Sequence, residues 1–169
     1  MKHFSLLLSA VFLSACASNS PSKPKNDPLV ELERANIIGH WDCQTTSQYN
    51  GREMTFFVNV TYSADGHFNS KGTMEAVVGK FKDPMSLTAT AEGSWNVSGN
   101  TLFERAENHD MIANNKQSEF FVYSVKRKMP KKLTSAYDIE LKGTQYMTML
   151  GLGSGPVFHC QRKESEKQL

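Results

Sequence analysis

The sequence predicts an all-β chain, an antiparallel up-and-down barrel of about eight strands preceded by a short N-terminal helix. Three observations carry this. From Ile37 onward apolar residues recur at every second position, the spacing of a half-buried strand. Turn residues interrupt that pattern at intervals suited to consecutive hairpins. No long apolar stripe of helical period competes with it over the same region.

Ahead of the barrel lies an address. Lys2 and His3 form a basic start, Phe4 to Leu13 an apolar run, and Leu13-Ser14-Ala15-Cys16 resembles the bacterial lipobox, which is cut just before its cysteine. The run is too short to span a bilayer, which needs about 20 residues. Residues 1–15 are therefore read as a lipoprotein signal peptide, with a non-cleaved signal as the alternative. Cys16 becomes the diacylated, palmitate-bearing N-terminus. Ala17, rather than an aspartate, follows it, which in a Gram-negative cell resembles lipoproteins sorted to the outer membrane and puts the barrel in the periplasm.

Residues 16–36 form the lipidated tether and the helix. Ser, Pro, Lys and Asn dominate 17–28 without apolar periodicity, so this stretch reads as a disordered spacer reaching roughly 40 Å when fully extended. Asp27 as N-cap and Pro28 at the first helical position open a helix to about Asn36, with Leu29 and Leu32 on one side. It is too short to stand alone and is expected to lie against the domain that follows.

The barrel domain spans 37–163, and 164–169 form a polar tail. Trp41 and Cys43 share one face of the first strand. Met54, Phe56, Val58, Val60 and Tyr62 form the inward row of the second, with Asn59, Thr61 and Ser63 outside. Ala64-Asp65-Gly66 turns the chain, and Gly66 in the left-handed region sets Tyr62 opposite Phe68. Phe68, Gly72, Met74, Ala76 and Val78 continue that face. Residues 80–84 break the run, after which Leu87, Ala89, Ala91, Gly93, Trp95 and Val97 make the next inward row. Ser98-Gly99-Asn100 turns again, and 101–105 returns. Residues 107–117 read as a polar loop or single helical turn, 120–127 as a strand, and 126–132 as a basic stretch. Strands at 137–141, 146–150 and 157–162 complete the set, the last two joined by a glycine-rich link. A sheet of this size with one apolar face closes on itself rather than leaving its edges exposed.

Charge and cysteines narrow the class. The whole chain carries 19 basic and 17 acidic residues. Loss of Lys2 with the leader brings the balance near zero, against the basic excess of a nucleic-acid binder. With Cys16 acylated, Cys43 and Cys160 remain as a pair in a compartment that permits disulfides, and a bridge between them is expected over two free thiols. If the two face each other across antiparallel neighbours, Trp41 falls opposite Arg162 and the first strand closes onto the last. Arg162 over the Trp41 indole then makes a cation–π pair worth about 0.5–2 kcal/mol.

These residues resemble a family. Gly39-His40-Trp41 at the start of the first strand, a short helix before it, and an arginine two residues after a cysteine on the last strand look like the lipocalin-like, or wider calycin, pattern. The hairpin from Tyr62 to Phe68, Gly93-Ser94-Trp95, and Gly99-Asn100-Thr101-Leu102 are similar to bacterial lipocalin-like domains. The resemblance covers about 37–163 and implies a barrel with room for an apolar pocket.

The function expected is non-enzymatic binding of a small hydrophobic molecule, with Phe56, Val58, Phe68, Met74, Trp95 and Met149 as ligand-lining residues. The same row, with Trp41, satisfies a solid core equally well. Gly72, Ala76, Ala89, Ala91 and Gly93 are the feature that leaves space. The alternative is a structural envelope lipoprotein with a filled barrel, binding a partner protein through 107–117 and 126–132. The basic stretch is also a candidate contact for anionic lipid phosphates, against a solvated loop. His40, Asp42 and His159 fall near one another on the outer face and read as surface polar groups before they read as a metal site. His67 and His109 fall in turn and loop positions. No Ser-His-Asp order, G-x-S-x-G, phosphate-binding loop or H-E-x-x-H occurs, so no catalytic residue, metal or cofactor is expected.

Overall fold

The structure, a computed structural model, describes residues 28–49, 52–76, 84–153 and 155–163. The signal peptide, Cys16, the tether before Pro28, Val78 and the polar tail lie outside the described residues. Helix α1 (Pro28–Ile37) leads into strands β1 (Gly39–Tyr49), β2 (Arg52–Tyr62), β3 (His67–Ala76), β4 (Met85–Ser98) and β5 (Thr101–Ala113). Helix α2 (Lys116–Lys126) follows, then β6 (Leu133–Lys142), β7 (Tyr146–Gly151) and β8 (Val157–Arg162). The strands form one closed antiparallel barrel in sequence order, with β1 hydrogen-bonded to both β2 and β8.

Registers follow from the alternation. Phe56 pairs with Met74, Val58 with Gly72 and Tyr62 with Phe68, as the second and third rows predicted. Gly66 takes φ 88° in the connecting turn, a conformation that costs a residue with a Cβ. Ser63 N–H donates to His67 O at 2.8 Å and closes the hairpin. The outward positions of β3 are His67, Asn69, Lys71, Thr73 and Glu75. Along β3 the outward positions are polar, the reverse of a lipid-facing strand. Among the described residues no helix is long and apolar enough to cross a membrane.

Two stretches depart from the sequence expectation. Residues 107–113, read as part of a polar loop, continue strand β5. Asn108 pairs with Glu92 and Ala106 with Gly93, so Glu107 is an extra residue, a β-bulge. Before it Leu102 and Ala106 are buried; after it Met111 and Ala113 take the inward positions. The bulge swaps the phase from even to odd, and a strict period of two fails across it.

Residues 120–127, expected as a strand, form most of helix α2. Asn115 caps it, accepting from Ser118 N–H at 3.2 Å, and Ser118 Oγ donates to Ser86 O at 2.5 Å. Ser118 and Val122, one turn apart, face the barrel. Phe120 is 81% exposed. The Phe-Phe-Val run favours a strand locally, but the cap and the single buried stripe select a helix. With this segment helical, the strands among the described residues number eight, and β6 begins at Leu133.

Two clusters make up the core of the barrel. The larger holds Ile37, Trp41, Tyr62, Phe68, Trp95, Leu102 and Met147 at the end covered by α1. The smaller holds Met74, Ala76, Met85 and Leu87 under Val122 of α2. The α1 end is sealed by two arginines. Arg162 lies over the Trp41 ring at 4.2 Å and Arg34 over the Trp95 ring at 5.3 Å. Arg162 also donates to the carbonyls of Thr144, Ile38 and Asn36, and Trp41 Nε1 donates to Ile37 O at 2.7 Å. Gly39 sits beneath this arginine at φ 138°, where a Cβ would collide with Nη1. Cys43 and Cys160 are bridged and directly paired, as are Trp41 and Arg162.

Candidate functional site

Inside the larger cluster is a cavity of about 200 Å3. Its apolar wall includes Val58, Val60, Phe68, Ala106, Leu133, Met149 and Phe158, with the Cys43–Cys160 bridge contributing Cys43. Its polar wall is Tyr62, Ser70, Glu104, Ser135 and Tyr137. The strand alternation explains how a carboxylate reaches the interior. Glu104 lies between Leu102 and Ala106 on β5, in the same inward phase as both.

Tyr62, from β2, spans the interior and donates its hydroxyl to Glu104 Oε1 at 2.5 Å. Burial raises the Glu104 carboxyl above its ordinary range, and the bond from Tyr62 opposes part of that rise. Burial, then the Glu104 charge, holds the Tyr62 phenol well above its usual value, and the same two causes raise Tyr137. Both phenols therefore stay protonated at neutral pH, and Tyr62 acts as a donor. Tyr62 stacks edge-on to Trp95 at 5.2 Å, and Tyr137 edge-on to Phe158 at 6.3 Å.

Glu104 couples the cavity to pH. Its folded value lies above the ordinary 4.5, so between the two the native chain binds more protons than the unfolded one. Stability then falls as pH rises through that window, and the cost is fully present above the folded value and absent below the ordinary one. Glu104→Gln is expected to remove this contribution and to be more stable than the wild type at neutral pH, since its side-chain oxygen still accepts from Tyr62. Urea midpoints of both proteins at pH 4.5 and 7.5 check it; an equal change in each would show that Glu104 carries no such coupling.

The structure distributes the expected lining residues unevenly. Val58, Phe68 and Met149 line the cavity. Phe56 and Met74 belong to the second cluster, and Trp95 is buried at the α1 end with Nε1 donating to Ser63 O at 3.0 Å. Of the small residues, Ala91 lines the cavity, whereas Ala76 and Ala89 are packed among Met54, Phe56 and Met111. Space therefore follows the small-residue row at Ala91 and not at Ala76 or Ala89. The polar group of Tyr62, Glu104, Ser135 and Tyr137 was not expected at all. Its one sequence signal is the glutamate at an inward-alternating position between Leu102 and Ala106.

The surface candidates are dispersed. His40 Nδ1 bonds Thr61 Oγ1 at 2.8 Å, Asp42 accepts from Asn59 Nδ2 at 2.5 Å, and His159 pairs with Gln44 across the β1–β8 seam. Among the described residues no group of three or more His, Cys, Asp or Glu side chains is placed to hold a metal ion. His67 is exposed at the start of β3. His109, expected in a loop as a solvated imidazole, is on β5 with Nε2 bonded to Pro130 O at 2.8 Å and Nδ1 buried without a partner. Lys126, from the basic stretch, pairs with Asp110 at 2.5 Å.

No protein-family model matches the chain, and no curated protein matches it at a significant level. The functional reading therefore rests on the barrel and its cavity.

Proposed function

We propose that the protein is a membrane-tethered lipoprotein of the bacterial envelope, facing the periplasm, whose barrel binds a small, largely apolar molecule without catalysis. The cavity of about 200 Å3 carries this reading. An apolar cavity of roughly 150 Å3 is enough to take benzene, so the space suits a substituted ring or a short chain. A long acyl chain would have to protrude. The test is native mass spectrometry of residues 17–169, secreted so that Cys43 and Cys160 oxidise. A two-hydrogen mass deficit together with a co-purifying molecule that leaves under activation is the expected result. Empty protein that also fails to bind any added small hydrophobe would overturn it.

A second reading concerns the outside of α2. Phe120 and Tyr123 are 81% and 60% exposed, and Arg127 lies over the Tyr123 ring at 5.6 Å. These three are spaced at i, i+3 and i+7, one helix face, and the basic turn through Lys128, Lys131 and Lys132 follows. An aromatic face beside lysines and arginines suits an anionic bilayer surface, at about 1 kcal/mol per basic residue. The unlipidated protein is expected to sediment with phosphatidylglycerol vesicles and not with phosphatidylcholine vesicles, and Phe120→Ser with Tyr123→Ser to abolish this. Equal sedimentation with both lipids, or with neither, would sink the reading.

A further inference from the structure

We infer that the cavity is selective for a cationic amine, a ligand with an ammonium group on a body no larger than one substituted ring or a short chain. This rests on the cavity being the binding site and names the chemistry it takes. The polar wall is acidic and lacks a countercharge. Glu104 is the one ionisable carboxyl among the described lining residues, and none of those residues is a lysine, arginine or histidine. Tyr62 satisfies one carboxylate oxygen with a neutral hydrogen bond, which orients the group but leaves its charge uncompensated. A partly buried charge without a partner is costly, and a bound cation of the right size removes that cost.

The remaining walls suit the same class. Tyr62 and Phe68, from adjacent strands β2 and β3, have ring centroids 6.4 Å apart. Tyr137 and Phe158, from β6 and β8, form a second aromatic pair 6.3 Å apart. In a barrel of eight strands in sequence order, β2–β3 and β6–β8 lie on opposite sides of the interior. All four rings line the cavity. Aromatic faces attract an ammonium through the ring quadrupole and pack an apolar body equally well. A carboxylate ligand meets the opposite situation, a like charge at Glu104 and no donor cation. An uncharged hydrophobe fills the space but leaves Glu104 as it was.

Three ligands of one shape separate these cases. The full-length oxidised protein is titrated by calorimetry with 2-phenylethylamine, 2-phenylethanol and phenylacetate. The amine is expected to bind at least tenfold more tightly than the alcohol, and phenylacetate to be the weakest. Glu104→Gln is expected to bring the amine-to-alcohol ratio near one. Glu75→Gln, which makes the same charge change on the outer face of β3, is expected to keep the preference. Thermal melts of both variants confirm that they are folded. Equal affinity for amine and alcohol, or a preference that survives in Glu104→Gln, overturns the amine selectivity while leaving the small-molecule reading intact. Failure of all three ligands to bind overturns the amine selectivity, and failure of every added small hydrophobe overturns the small-molecule reading as well.

Discussion

Removing the bridge between β1 and β8 is expected to cost more stability than any other single change to the barrel. Cys43 and Cys160 are separated by 117 residues. In the chain-entropy model, closing a loop of that length restricts the unfolded chain by about 5 kcal/mol. The double variant Cys43→Ala, Cys160→Ala, or the reduced wild type, should melt about 15 °C below the oxidised protein for a domain of this size. Far-ultraviolet circular dichroism during a thermal ramp, with and without reductant, measures it. The hydrogen bonds of the seam, from Trp41–Arg162 to Gln44–His159, remain after reduction, so the barrel should still fold at low temperature. A shift below about 5 °C would mean that these bonds close the barrel without covalent help.

Trp41→Ala is the second large effect. The indole is fully buried, fills the α1 end of the core, and carries Arg162 on its face. Truncating a buried tryptophan costs about 3–5 kcal/mol through lost burial and the cavity left behind. The Ile37 carbonyl also loses its indole donor. Arg162→Ala removes the same stack from the other side and deprives the carbonyls of Asn36, Ile38 and Thr144 of their guanidinium donor. The two residues touch, so the double variant should lose less than the two single losses together, by about 1 kcal/mol. Urea unfolding of the four proteins gives that coupling directly. Trp41→Ala at under 1 kcal/mol would show that the α1 end is not a structural seal.

The seam was legible because it depends on few residues with strong constraints. Two cysteines in register fix the pairing of Trp41 with Arg162, and alternation alone orders β2, β3 and β4. Residues 107–127 were not legible for two physical reasons. One extra residue at Glu107 inverts the inward phase midway along β5, and a period-two reading has no means of registering a single insertion. In α2, Phe120, Phe121 and Tyr123 have strand propensity yet face outward, so the local preference is overridden by Asn115, Ser118 and Val122 docking on β4 and β5.

The site was less legible than the fold. A row of large and small apolar residues does not reveal whether side chains meet in the middle. Met74 and Phe56 met theirs, under α2; Val58, Phe68 and Met149 did not. Glu104 was visible in the alternation, but its meaning depended on Tyr62 reaching it from across the interior, a contact between residues 42 positions apart.

Because β1 completes its pairing only with β8, the earliest strand to be synthesised keeps an open edge until nearly the whole domain has followed it. An unpaired edge is a template for other chains, and contacts this distant in sequence slow folding. The nascent protein therefore has a long window in which β1 can pair with the wrong strand, including β1 of a neighbouring copy.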